Sequence, residues 1–172
     1  MIFHTKSTSE TIQLGKLIGN LLQPGDVVAL IGELGTGKTH FIMGLAAGLG
    51  VEKNDPVSSP SFTLIHEHTG RIPFCHVDLF RLRGEAEAED LGLDEYFQRR
   101  AVTAIEWADK IPSLLPKEAL RIYLRYAGNQ ERTIEIVSQG DKYLSLLKDV
   151  EAFLSKQRSG RSRGAKGQKR PG

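Results

Sequence analysis

The segment Gly32-Glu33-Leu34-Gly35-Thr36-Gly37-Lys38-Thr39 satisfies the pattern G-x-x-x-x-G-K-[ST] at every fixed position. Its residue types suit a polyphosphate. Several backbone N–H groups must converge on such an anion, and glycines allow the close approach and positive φ that a side chain would block. A helix opening at Lys38 would aim its positive dipole end at the same charge. Lys38 would then neutralise the β- and γ-phosphates, and the Thr39 hydroxyl would be placed to ligate Mg²⁺. The competing reading is a glycine-rich turn that binds nothing. Context argues against it, because the octapeptide follows the apolar run Val27–Ile31 and precedes a helical pattern over 39–49. A nucleoside triphosphate is the expected ligand.

Phosphate-loop chemistry also needs an acid at the end of a neighbouring strand. Asp78 closes Ile72-Pro73-Phe74-Cys75-His76-Val77, and Glu106 closes Ala101-Val102-Thr103-Ala104-Ile105. Ligands of open α/β sheets bind at the carboxyl ends of strands, so both acids could face the loop. Spacing alone does not say which holds metal and which positions water. Ser58, Ser59 and Ser61 around Pro60 suit either an ordinary turn or a loop ordered by γ-phosphate. His66 and His68 share one strand face but lack a third ligand for zinc, so they read as surface residues. Cys75 reads as a small core side chain. Trp107 suits packing, or stacking on a base.

The elements that must position these groups are visible in the patterning. Thr8–Leu22 carries apolar residues near helical spacing behind the N-cap candidates Ser7-Thr8-Ser9-Glu10. Pro24-Gly25-Asp26 turns the chain into the doubly buried strand Val27–Ile31. Strands are expected at Phe62–His68, Ile72–Val77 and Ala101–Ile105, with helical composition over Glu85–Arg99 interrupted at Gly92. Leu120–Tyr126 and Thr133–Val137 flank Gly128-Asn129 as a hairpin. Asp141–Leu154 is a final amphipathic helix. Buried strands alternating with helices predict an α/β domain, a three-layer sandwich of the P-loop NTPase type with a mostly parallel central sheet and a C-terminal β-hairpin.

Composition narrows the class. The 172 residues make one domain, 1–154, with an appendage, 155–172. The longest apolar run, Val27–Ile31, is far short of the roughly 20 residues that span a bilayer, and the first residues lack the apolar stretch of a secretory signal. With Cys75 as the single cysteine, no intrachain disulfide is possible and a cytoplasmic setting is expected. The net charge of +2 hides an asymmetry: 155–172 holds seven Lys or Arg and no acid, whereas 1–154 holds 16 basic against 21 acidic residues. The tail has no large apolar residue to offset its ordering entropy and is expected to be disordered. It suits a solubilising extension, or contact with RNA phosphates.

Taken together and in this order, these residues resemble the TsaE family (also called YjeE), small bacterial ATPases of the pathway that makes N6-threonylcarbamoyladenosine in tRNA. The family's G-[DE]-L-G-[AT]-G-K-T is Gly32–Thr39 here, and its V-x-S-P-T-[FY] is Val57-Ser58-Ser59-Pro60-Ser61-Phe62. Its H-x-D-[LV]-Y-R is His76-Val77-Asp78-Leu79-Phe80-Arg81, and its I-E-W is Ile105-Glu106-Trp107. The resemblance covers residues 1–154. Three positions depart from it: Ser61 stands for Thr, Phe80 for Tyr, and His40 for a second Thr after the lysine–threonine pair.

The resemblance implies an ATP- and Mg²⁺-dependent ATPase, weak alone, that acts with TsaB and TsaD and touches tRNA indirectly. It implies nucleotide contacts from Thr8, Glu33, Leu34, Gly35, Thr36, Gly37, Lys38, Thr39, His40, Trp107 and Arg132. It further implies metal ligation by Thr39 and Glu106, and catalysis by Lys38, Asp78 and Glu106. TsaD would carry the transferase centre, and ATP hydrolysis would reset the assembly. Arg81 and Arg132 are the nearest candidates for an arginine finger. The alternative is a small-molecule or nucleotide kinase, although the acidic segment Gly84–Asp94 stands where a kinase would carry an arginine-bearing lid. A non-catalytic adaptor whose conformation ATP sets is a third reading.

Overall fold

Val27–Ile31 (β2) lies in the middle of the sheet because its residues are apolar on both faces. The computed structural model describes residues 1–52, 54, 55, 57, 58 and 63–164, with side chains to residue 156. Among the described residues, seven strands form one sheet in the order β1-β7-β6-β2-β5-β4-β3: β1 Ile2–Thr5, β3 Ile65–His68, β4 Phe74–Asp78, β5 Val102–Glu106, β6 Leu120–Tyr126 and β7 Arg132–Ser138. The four central strands, β6, β2, β5 and β4, run parallel, and antiparallel pairs close both margins.

Alternate residues of β2 serve different layers. Val28 and Leu30 pack with helices α1 (Thr8–Leu21) and α2 (Lys38–Gly48) and with α5 (Leu144–Gly164). Val27 and Ala29 pack on the opposite face, with α3 (Glu85–Glu89), α4 (Leu93–Gln98) and the 3₁₀ turn Ala108–Lys110. This is the expected three-layer α/β sandwich. The hairpin β6–β7 is present with Ile122 opposite Ile136. Gly92 separates α3 from α4, as its place in the pattern suggests.

Helix α1 begins where its capping residues place it. The Ser7 hydroxyl accepts from Glu10 N at 3.2 Å, and the Glu10 carboxylate accepts from Lys6 N at 2.8 Å. Along its length, Gly15 and Gly19 face Gly44 and Gly48 of α2. A Cβ at Gly15 would overlap the Phe41 carbonyl, and one at Gly44 would overlap the Ile12 carbonyl while lying 2.9 Å from Gly15 Cα. The two helices therefore touch backbone to backbone. Helix α2, pressed between α1 and the sheet, buries Phe41, Ile42, Leu45 and Ala46.

Several expectations are corrected. Strand β4 starts at Phe74 because Pro73 has no N–H for the ladder, and it continues through Asp78. Strand β5 likewise includes Glu106. Strand β1, which the patterning did not disclose, pairs antiparallel with β7 through Ile2–Thr5. The last helix starts at Leu144, since Tyr143 is buried and its hydroxyl bonds to Val27 N and O at 3.1 and 3.3 Å. It runs to Gly164, beyond the Leu154 at which the pattern ends it. Helix propagation adds one hydrogen bond per residue once a turn exists, which carries it past the last packed apolar residues. Residues 165–172 lie outside the described residues, as do Ser59, Pro60, Ser61 and Phe62.

Replacing Gly44 with Ala should cost about 1–3 kcal/mol, because backbone rather than a flexible side chain meets the new methyl. At roughly 2–4 °C per kcal/mol for a chain of this length, thermal unfolding should fall by about 2–12 °C. Gly84→Ala, whose Cβ meets nothing within 4 Å, should change it little.

Candidate functional site

The loop between β2 and α2 is shaped by backbone that only glycine adopts readily. Gly35 has φ +77°, and Gly37, the N-cap of α2, has φ +100°. The Thr36 hydroxyl ties the loop to itself by donating to Glu33 O at 2.8 Å. Lys38 opens α2 almost fully buried, at 4 % exposure. Its ammonium donates to Gly32 O at 2.7 Å and Glu33 O at 2.9 Å, and lies 3.7 Å from the centroid of Trp107. A phosphate at the loop would compete with these carbonyls for the ammonium. Trp107 itself is half-buried, holds φ +60°, and packs against Phe80 at 5.1 Å.

The two acids are strand neighbours. Asp78 and Glu106 are paired in the parallel β4–β5 register, both on the sheet face turned to α2, and 6 % and 3 % exposed. The two acids have different partners. Glu106 receives the Thr39 hydroxyl at 3.0 Å from either carboxylate oxygen. Asp78 Oδ1 accepts from Phe80 N at 2.9 Å, fixing the turn after β4. Thr39 and Glu106 thus offer adjacent hard oxygen donors beside the phosphate loop, a set that fits magnesium, which takes few protein ligands and keeps several waters.

A second side of the loop is held by the β6–β7 hairpin. The Tyr126 hydroxyl donates to Leu34 O at 2.7 Å. Arg132 donates from Nε to Thr36 O at 3.0 Å and from Nη2 to Gly35 O at 3.3 Å, and its guanidinium stacks on Tyr126 at 4.6 Å. Arg132 therefore grips the loop through its carbonyls. Glu33 and Leu34 are exposed at the loop's tip, and His40 is exposed on the first turn of α2. Thr8 is exposed on the first turn of α1, one turn before Thr11, whose methyl is the nearest atom to a Cβ built at Gly37, at 3.9 Å. Arg81 is exposed in the turn after β4.

Two residues at the site were not singled out by sequence. Tyr126 carried no signal beyond its place at the end of a strand. His76 stands in the motif around Asp78, and its Nε2 lies 2.9 Å from Glu106 Oε1. The expectation for His66 and His68 is corrected in part: His68 is buried, stacks on Phe74 at 5.9 Å and pairs with Asp55 at 2.8 Å. Cys75 is a core residue as expected, with burial pushing its thiol up to about 12.

Comparison with known proteins agrees with this geometry. The family model described as threonylcarbamoyl adenosine biosynthesis protein TsaE matches residues 5–134. A Bacillus subtilis protein named tRNA threonylcarbamoyladenosine biosynthesis protein TsaE is 42 % identical over 149 residues, covering 86 % of this chain and 92 % of its own. A Treponema pallidum protein of the same name is 38 % identical, covering 76 % and 96 %. The crystal structure of YdiB from Bacillus subtilis superposes with a TM-score of 0.75 at 36 % identity, covering 89 % of this chain and 95 % of that one. Among the described residues, no helix is long and apolar enough to cross a membrane.

Burial holds the Lys38 ammonium below the ordinary lysine value of 10.5, while Glu106, Asp109 and Asp78 pull it back up. The folded protein then releases this proton at lower pH than the unfolded chain, so stability gained at Lys38 appears as pH rises toward 10.5. In urea unfolding, wild type should gain on Lys38→Met across that alkaline window. A pH-independent difference between the two would contradict this.

Proposed function

The chain belongs to the TsaE family of threonylcarbamoyladenosine biosynthesis proteins, and from that membership we propose that it is a Mg²⁺-dependent ATPase that acts with TsaB and TsaD in modifying the tRNA adenosine beside the anticodon. The observation that carries the reading is the Thr39–Glu106 bond at 3.0 Å, which joins the phosphate loop to the end of β5. The loop's backbone N–H groups and the N-terminus of α2 would bind the triphosphate, with Lys38 moving from loop carbonyls to phosphate oxygens. Magnesium held by Thr39 and Glu106 would neutralise charge on the β- and γ-phosphates. Asp78, beside Glu106 in the register, would orient the attacking water.

The reading of weak activity alone rests on Arg132. Its guanidinium is engaged with Gly35 O and Thr36 O, so it serves the loop's shape rather than the γ-phosphate. A partner surface would then complete the site, and TsaB with TsaD would supply it. The tRNA would be reached through those partners, since residues 1–154 are acidic overall. The cytoplasm suits a partner of tRNA modification. A kinase is disfavoured by α3 and α4, where Glu85, Glu87, Glu89, Asp94 and Glu95 would repel a second phosphorylated ligand.

Arg132→Ala should weaken ATP binding about tenfold, because charged donors to two loop carbonyls are lost; calorimetry that finds no change would remove Arg132 from the site. Co-purification should show the TsaB–TsaD pair retained by this chain with ATP and Mg²⁺ and released without them. Lys38→Ala should abolish both retention and tRNA modification. If the isolated protein hydrolysed ATP at tens per second, or if retention ignored nucleotide, the proposal would fail.

A further inference from the structure

His76 is the most buried polar side chain near the site, at 0 % exposure. It lies on β4 between Phe74 and Asp78, on the face turned to α2, whereas Cys75 and Val77 face the other layer. Its Nε2 stands 2.9 Å from Glu106 Oε1, and its Nδ1 has no partner among the described residues. A ring nitrogen facing a carboxylate oxygen must carry the hydrogen. Nε2 is therefore the donor of this pair, and it is aimed at Glu106. Stacking on Phe74, at 6.5 Å between centroids and 12° between planes, fixes the plane of that donor.

Glu106 needs such a donor. The last torsion of a glutamate is broad and roughly two-fold, so one hydrogen bond does not hold the carboxylate plane. Thr39 approaches from α2 and His76 from β4, and together they bracket Oε1 from two elements. We propose that His76 is a positioning residue, whose Nε2–H holds the Glu106 carboxylate in the orientation that serves Thr39 and a bound divalent cation. This rests on the reading of Glu106 as the metal partner. Magnesium demands near-ideal octahedral geometry, so a carboxylate free to turn binds it less well. Partners of ligating carboxylates typically contribute ten- to a hundredfold in metal affinity.

The discriminating pair is His76→Gln and His76→Asn. Glutamine carries its N–H₂ about as far out as Nε2, and asparagine falls short of Glu106. Binding of a non-hydrolysable ATP analogue, titrated with Mg²⁺, gives the cation's half-saturation, and thermal melting reports folding. His76→Asn should raise the half-saturation about ten- to a hundredfold while leaving analogue binding in EDTA unchanged, and His76→Gln should stay near wild type. If both variants are equally impaired, or His76→Asn matches wild type, His76 only packs and the proposal falls. Glu106→Gln separates the two readings. If it leaves half-saturation unchanged, the metal role of Glu106 fails and takes the proposal with it; if it raises half-saturation while His76→Asn does not, the proposal alone fails. Nitrogen NMR of the wild-type ring, independent of any variant's folding, should show hydrogen on Nε2, and hydrogen on Nδ1 alone would overturn the proposal.

Discussion

The hydrogen bond from Thr39 to Glu106 spans two elements that sequence keeps 67 residues apart. On one side is the first turn of α2, on the other the last residue of β5. If that bond is to form, α2 must sit at a fixed height over the sheet, and β5 must lie beside β2 in its observed register. The parallel pairing of Leu30 with Glu106 meets the second requirement. The first is met by packing: α2 is pinned between the sheet and α1, with the glycine faces of the two helices leaving no slack between their backbones. A side chain in that contact would push α2 outward and move Lys38 and Thr39 with it.

The phosphate loop is held from the opposite flank by the hairpin. Tyr126 and Arg132 come from strands outside the parallel core, yet they bind three successive loop carbonyls, Leu34 O, Gly35 O and Thr36 O. Occupying carbonyls in this way leaves the loop's N–H groups for an anion, which is the polarity the site requires. Lys38 is buried among Gly32 O, Glu33 O and the Trp107 ring, so its charge is available inside a small, low-dielectric volume rather than spread into solvent.

Much of this was legible in the residues. The octapeptide and the run Val27–Ile31 disclosed the loop and its strand because both are local patterns with a mechanism. The acids Asp78 and Glu106 were visible as polar ends of apolar runs, and the hairpin as two strands around Gly128-Asn129. What stayed hidden was non-local. Strand β1 is four residues long, too short for alternation to register, and forms because β7 offers a free edge. His68 reads as a surface histidine until Asp55 and Phe74 are seen around it. The late start of α5 depends on Tyr143 reaching Val27, a contact across 116 residues.

The sequence by itself determined the chemistry on offer: a glycine-rich anion cradle, a lysine, a threonine and two strand-end carboxylates, each recognisable because its local spacing is the mechanism. It also determined the alternation of strands and helices, since periodicity is a property of neighbours. Only the tertiary structure decided that Glu106 rather than Asp78 meets Thr39, that His76 stands behind Glu106, and that Arg132 grips the loop. Those are distances between residues far apart in the chain, set by sheet order and helix packing, and no local pattern carries them.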